Sequence, residues 1–123
     1  MERKYDIEDR CIAFAAAVVK HTDNMPNTRA GNHLAGQLLR SGTAPALHYG
    51  EVQGSESARD FIHKMSVALK ELRESKSNLR VQILSNMMDM NNTDHAWLIK
   101  ECGELVAIFT ASVKTAERNN PRK

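Results

Sequence analysis

A chain of 123 residues with a formal net charge of +2 at pH 7 fits a single domain, 1–123, that is long enough to bury a core. Aromatic side chains make up only 5% of it, so aliphatic and small residues must supply the packing, which favours closely packed helices. The basic excess is too small for a dedicated DNA-binding domain, so the composition permits nucleic-acid binding without demanding it.

The amino-terminal region gives no sign of a membrane segment. Its first ten residues mix both charges, and only nine apolar residues follow, from Cys11 to Val19. A helix that spans a bilayer needs about twenty. We therefore expect a protein without a membrane partner, located in the cytoplasm.

The first predicted helix covers residues 6–21. Apolar side chains recur in it at gaps of four, three and four, which places on one stripe Ile7, Cys11, Phe14 and Val18. The segment that follows, 23–28, is rich in turn-forming residues and contains Pro26. The chain should therefore reverse direction there.

The second predicted helix covers residues 28–53, and a similar spacing gives the core-facing stripe Leu34, Leu38, Ser41, Pro45, His48 and Val52. Its middle is thin, because Ser41, Gly42 and Ala44 have little side-chain bulk. We expect another backbone to approach closely at this point. Pro45 cannot donate a backbone hydrogen bond, so a kink near Gly42 is also expected.

Two further helices are predicted at residues 57–86 and 93–118, and a basic, frayed tail at 119–123. The third helix has the most regular apolar stripe, which comprises Phe61, Met65, Ala68, Leu72, Ser75, Leu79 and Ile83. Short connections force neighbouring helices to run antiparallel. The sequence therefore predicts an all-α fold, an antiparallel up-down-up-down four-helix bundle.

Few residues suggest chemistry. Cys11 and Cys102 lie on apolar stripes without metal-ligand spacing, so buried free thiols are favoured over a disulfide. The Glu-x-x-His motif of di-iron bundles has one partial match, from Asp60 to His63, with Asp in place of Glu. A capping or surface role is favoured for it. His48 is better explained as a hydrogen-bonded core or interface histidine than as a metal ligand or base. We expect no catalytic residue, no metal site and no cofactor.

A basic strip is the main candidate for ligand contact. Its members on the third predicted helix are Lys70, Arg73, Lys76 and Arg80, and the tail region adds Arg118, Arg122 and Lys123. Such a strip can contact phosphates, although the residues alone favour a solvated helix face. No stacking aromatic is evident near it, which argues against sequence-specific recognition of single strands.

Three stretches carry a family resemblance: Gln37-Leu-Leu-Arg-Ser-Gly-Thr-Ala-Pro-Ala-Leu-His-Tyr-Gly-Glu51, Asp60-Phe-Ile-His-Lys64 and Leu69-Lys-Glu-Leu-Arg-Glu-Ser75. They resemble the four-helix-bundle family of proteins encoded in intervening sequences of bacterial 23S ribosomal RNA genes, also called S23 ribosomal proteins. The chain departs from the family pattern at Pro45, where a small or aliphatic residue is usual, and at His48, where Asn is common.

The resemblance implies a homo-oligomer. The family is similar to the accessory variability protein of diversity-generating retroelements, a pentamer of four-helix bundles that binds nucleic acid and a reverse transcriptase. By this likeness the chain would form a homopentamer whose partners are RNA, DNA or a nucleic-acid enzyme. Charged positions shared with the family, together with His48, are assigned to a polar seam of ion pairs that comprises Arg40, His48, Glu51, Glu71 and Glu74.

Three functions follow from these observations. The leading one is a non-enzymatic homo-oligomeric bundle that associates with nucleic acid or with a nucleic-acid enzyme. A protein-binding adaptor without a nucleic-acid role is the alternative. A metal or redox enzyme is the least favoured of the three.

Overall fold

The computed structural model describes residues 6–121. Four helices account for most of them: α1 (Ile7–Asp23), α2 (Arg29–Gln53), α3 (Ala58–Leu84) and α4 (Thr93–Asn119). Every bound lies within two residues of the one expected from the sequence, and no strand occurs between residues 6 and 121. Not one of these helices combines the length and apolar character that crossing a bilayer requires.

Each helix begins at a polar residue whose side chain accepts a backbone hydrogen bond from the first turn. These N-caps are Asp6, Thr28, Ser57 and Asn92. Such caps satisfy amide groups that have no partner within the helix. Because they interrupt the apolar periodicity, they explain why the four bounds can be read from the sequence.

The helices form a closed ring in chain order. Helix α1 packs on α2, α2 on α3 and α3 on α4, while α4 returns to α1 through a less extensive contact. With short connections this order is that of an antiparallel up-down-up-down bundle, as predicted. The seam between α1 and α4 is therefore the loosest side of the molecule.

The core is built from the predicted apolar stripes. Its largest fully buried apolar side chains are Phe14, Phe109, Leu38, Leu72, Leu79, Leu98 and Leu105. Both Cys11 and Cys102 are buried free thiols, as expected. Burial raises the pKa of each to about 12, so both stay protonated at neutral pH.

The thin middle of α2 is where its neighbours approach most closely. A Cβ atom added to Gly42 would lie 2.8 Å from Cγ2 of Val18 on α1. On the α3 side, the buried hydroxyl groups of Ser41 and Ser75 share a hydrogen bond of 2.8 Å. The predicted close approach is thus confirmed, and α2 continues as helix through the buried Pro45.

Candidate nucleic-acid interface

The predicted basic strip lies on the outer side of α3. Lys70, Arg73, Lys76 and Arg80 are all exposed, because the core positions of α3 occupy its opposite face. None of the four makes a salt bridge to another residue of the 6–121 region. Of the predicted tail cations, Arg118 is exposed near the end of α4, whereas Arg122 and Lys123 lie outside the described residues.

A groove of about 930 Å³ runs over α3 and is bordered by α2 and α4. Lys70 and Arg73 line it from α3, Arg40 from α2 and Lys114 from α4, and we call this the basic groove. Lys76 and Arg80 do not line it. Its apolar surface comes from Leu69, Val81 and Val113.

Lys114 is a groove residue that the sequence reasoning missed. It is exposed and makes no salt bridge within the described chain. The signal was present in the predicted topology, since an antiparallel α4 must place its last turns beside the first half of α3. The predicted strip took its cations from the third helix and from the tail region, and so omitted the turn of α4 that holds Lys114.

Arg40 joins α2 to α3. Its Nη1 donates to Oε1 of Glu71 at 2.9 Å, and its Nη2 donates to Oε1 of Glu74 at 2.8 Å. The guanidinium group holds the pKa of Glu74 below its ordinary value, mainly through this hydrogen bond. Three members of the predicted polar seam are therefore brought together.

The other two members of that seam lie apart. His48 is half-buried and Glu51 is exposed, and neither side chain makes an ion pair or hydrogen bond within residues 6–121. Glu51 contributes only its backbone carbonyl, which accepts from Nζ of Lys64 at 3.5 Å. The seam is thus a clamp centred on Arg40.

Asp60 acts at the start of α3. Its carboxylate accepts the backbone N–H of Glu56 at 3.2 Å and pairs with Nζ of Lys64 at 3.1 Å. These two interactions lower the pKa of Asp60, the backbone hydrogen bond most. His63 is exposed, so the Asp60 to His63 spacing belongs to a capped helix start.

A second clamp, which the sequence reasoning did not identify, joins α1 to α4. Nε and Nη2 of Arg10 donate to the two carboxylate oxygens of Glu101 at 2.8 Å and 2.6 Å, and Nη2 also reaches Glu104 at 2.7 Å. Arg10 and Glu101 are largely buried. Fork-like geometry of this kind fixes how the two helices are oriented.

A buried chain of hydrogen bonds crosses the bundle near the turn between α3 and α4. His21 Nε2 lies 2.8 Å from Gln82 Oε1, Gln82 Nε2 donates to Asn78 Oδ1 at 2.7 Å, and Asn78 Nδ2 donates to a backbone carbonyl of α2 at 3.1 Å. The ring of His95 meets that of His21 edge to face, with centroids 4.9 Å apart. The contact between the two histidine rings could not be predicted from the spacing of these residues in the sequence.

The same two histidines line a cavity of about 530 Å³ between α1 and α4, which we call the α1–α4 cavity. Trp97 and three alanines of α1 form much of its wall. Nowhere in residues 6–121 do three or more His, Cys, Asp or Glu side chains converge as metal ligands would.

Comparison with known proteins gives a family and a fold. The family model for 23S rRNA-intervening sequence proteins matches residues 3–111. No curated protein matches the chain. Among solved structures, the chain is similar to a protein of unknown function from the S23 ribosomal protein family of Bacteroides thetaiotaomicron VPI-5482. The two share 24% identity with a TM-score of 0.79, over 89% of this chain and 99% of the other, a likeness that shows the four-helix fold.

Proposed function

The chain belongs to the family of 23S rRNA-intervening sequence proteins, and from that membership we propose that it is a non-enzymatic, homo-oligomeric bundle that binds RNA or DNA along the basic groove. The observation that carries the proposal is the convergence of Lys70, Arg73 and Lys114 on one groove. These cations come from two helices and have no acidic partner within residues 6–121. Together they form a positively charged surface that attracts phosphate groups.

The acidic residues of the groove do not cancel this positive charge. Glu74 is engaged by Arg40, which also pairs with Glu71, so the clamp compensates the charge of Glu74 only in part. Glu117 is the other carboxylate that lines the groove. Among the described residues, four cations and two carboxylates line the groove, so a phosphate chain would meet a net positive lining.

The groove supports contact with the backbone of a nucleic acid and no reading of its bases. No aromatic side chain of residues 6–121 lines it, so these residues offer no stacking surface for bases there. Lys70 and Arg80 are ten residues apart in α3, which corresponds to about 15 Å along the helix axis. The exposed cations thus extend beyond the groove along one side of the bundle, and we expect binding that is independent of sequence and sensitive to salt.

Self-association is proposed from the family likeness and is supported by apolar side chains left on the outer side of α2. Leu47 is 73% exposed and Leu39 is 42% exposed. These two leucines leave apolar area on α2 that a protein contact would cover. We assign this face of α2 to the contact between copies.

The test of nucleic-acid binding compares two charge-neutralising double variants. Lys70→Gln with Lys114→Gln should weaken binding of a labelled RNA or DNA duplex and lower the slope of log K against log salt by about 2, since each lost phosphate contact removes about 1. The control, Arg29→Gln with Arg59→Gln, removes the same charge from exposed positions outside the basic groove.

Anisotropy titrations over a range of salt concentrations give both quantities. The groove variant should lose affinity while the control keeps it. Equal weakening by the two variants would assign binding to net charge alone, and absence of binding by the unmodified protein at low salt would reject the proposal.

A further inference from the structure

The α1–α4 cavity has the size and composition of a small-molecule site. Its volume of about 530 Å³ lies within the range of about 300–1,000 Å³ typical of such sites, and gaps between bundle helices are a common place for them. It shares no lining residue with the basic groove. The cavity is therefore a separate site from that groove.

The walls of the cavity suit a flat, partly apolar ring. On the α1 side the lining residues Ala13, Ala16 and Ala17 have minimal side chains, which leaves the space open. On the α4 side stands Trp97, the only tryptophan of the chain, whose side chain is 42% exposed. An accessible indole ring beside an unfilled space is a stacking surface.

The hydrogen-bond chain fixes the tautomer of His21. It ends on a backbone carbonyl, which can only accept, so Asn78 and Gln82 each donate through their amide nitrogen towards α2. Gln82 therefore presents its oxygen to His21, and Nε2 of His21 must carry the proton. Its Nδ1 is left as a hydrogen-bond acceptor.

The hydrogen bonding of His95 also fixes which of its ring nitrogens donates and which accepts. Its Nδ1 accepts the backbone N–H of Asp89 at 3.0 Å, so its Nε2 is the donor. Neither His21 Nδ1 nor His95 Nε2 has a hydrogen-bond partner in the described chain. Every fully buried side-chain nitrogen or oxygen atom of residues 6–121 does have a partner. Neither atom is therefore fully enclosed, and one is left as an acceptor and the other as a donor.

We propose that the α1–α4 cavity binds a nucleobase, stacked on Trp97, with the hydrogen-bonding edge of the base satisfied by His21 and His95. Every nucleobase carries a donor next to an acceptor on its Watson–Crick edge, which matches one accepting and one donating imidazole. Lys20 and Asp94 are the charged residues that line the cavity, and their charges are opposite. The near-neutral lining favours the base itself over a multiply charged phosphate.

The site goes beyond the proposed function, because the basic groove holds a phosphate chain and this cavity holds a single base. Two sources supply that chemistry: a free nucleotide, or an unpaired base within a nucleic-acid strand. Base recognition of this kind requires a base that is not already paired and stacked.

The test uses Trp97 as its own reporter, since no other tryptophan contributes fluorescence. Each of the four ribonucleoside monophosphates is titrated while emission is recorded with excitation at the red edge of tryptophan absorption. Saturable quenching by at least one of them is expected. No saturable change with any of the four would overturn the proposal.

A cavity-filling variant tests the location of the site. Because it changes an exposed residue, loss of quenching in this variant cannot be attributed to unfolding. Ala16 is exposed, so Ala16→Leu should fill the cavity without disturbing the core and should abolish the quenching. Ala111→Leu, an exposed alanine of α4 outside the cavity, should leave it unchanged. Equal quenching in both variants would refute the assignment.

By calorimetry, Trp97→Ala should bind the mononucleotide about tenfold more weakly, the usual cost of losing a stacked base.

Two further arms distinguish the source of the base. A short single strand that competes with the mononucleotide, where the matching duplex does not, indicates an unpaired base in a strand; competition by neither indicates a free nucleotide. Lys70→Gln with Lys114→Gln should leave mononucleotide binding intact. Loss of duplex binding in that variant therefore reports only on the basic groove.

Discussion

His21 shows how one residue can link the core to the surface. Its side chain is only 8% exposed, donates through Nε2 to Gln82 and meets the ring of His95. Burial lowers the pKa of His21 below its ordinary value of 6.5, while the hydrogen bond to Gln82 acts in the opposite direction. The charge of His95 lowers it further.

This shift predicts a pH dependence of stability. Below about pH 6.5 the unfolded chain takes up a proton at His21 more readily than the folded chain does. The free energy of unfolding should therefore be unaffected by His21 above that pH, and should decrease as the pH falls towards the folded pKa. Denaturant unfolding at pH values on both sides of 6.5 measures the effect.

The control for this prediction is His21→Gln, which should lose the pH dependence in that interval even if it is less stable overall. Lys20, Asp94 and His95 also line the cavity and remain in the variant, so a slope that persists in it would contradict the assignment to His21. The carboxylates with lowered pKa values, Asp60 and Glu74, act at lower pH and do not interfere.

Residue roles were predictable where a helix face alone decides them. The exposure of Lys70 and Arg73 and the burial of Cys11 follow from periodicity. Lys114 and the meeting of His21 with His95 depend on which helices become neighbours, and on their register. Which helices are neighbours, and in what register, depends on packing across the bundle. The spacing of residues within one helix does not determine it.

At the scale of elements, the contact between α1 and α2 depends on the missing side chain of Gly42. Its neighbour Val18 is fully buried and β-branched, so it has little freedom to yield to an added methyl group. Gly36, on the same helix, is exposed, and a Cβ added there would meet nothing within 4 Å. The two glycines therefore make a matched pair.

We expect alanine substitutions at the two glycines to have opposite effects. Gly36→Ala should raise the free energy of unfolding by up to about 1 kcal/mol, the helix-propensity gain. Gly42→Ala should lower it by about 1 kcal/mol, because the cost of overpacking exceeds that gain. Chemical denaturation of both variants checks the signs, and a stabilised Gly42→Ala would show that α1 and α2 separate easily.

The elements themselves were well predicted, for a physical reason. Polar caps such as Thr28 and Ser57 satisfy amides that would otherwise lack partners, and they stand where the apolar period stops. The polar seam was predicted only in part. Arg40 reaches Glu71 and Glu74 because α3 lies beside it, whereas the side chains of His48 and Glu51 pair with no charged group of residues 6–121.

At the scale of the whole molecule, the family was identified from motifs of the second and third helices, and the match to the family model confirms it. The oligomer remains a proposal. We expect native mass spectrometry to detect a homo-oligomer, with a pentamer as the state implied by the family likeness. A monomer at every concentration would contradict that expectation.

A pair of leucine substitutions locates the contact between copies. Leu47→Glu should shift the mass towards monomer, because a charge placed on the outer face of α2 cannot be desolvated without cost. Leu84→Glu alters a residue that is 84% exposed at the end of α3, and should leave the assembly intact. Loss of assembly in the second variant alone would move the contact to α3.

The two cysteines give the core of the bundle a built-in reporter of its opening. Cys11 lies on α1 and Cys102 on α4, and each thiol is both enclosed and protonated. An alkylating reagent reacts only with an accessible thiolate, so neither thiol is modified while the helices stay together. The rate of alkylation therefore measures how often the core packing around these two thiols opens, and a ligand that stabilises the closed bundle should slow that rate.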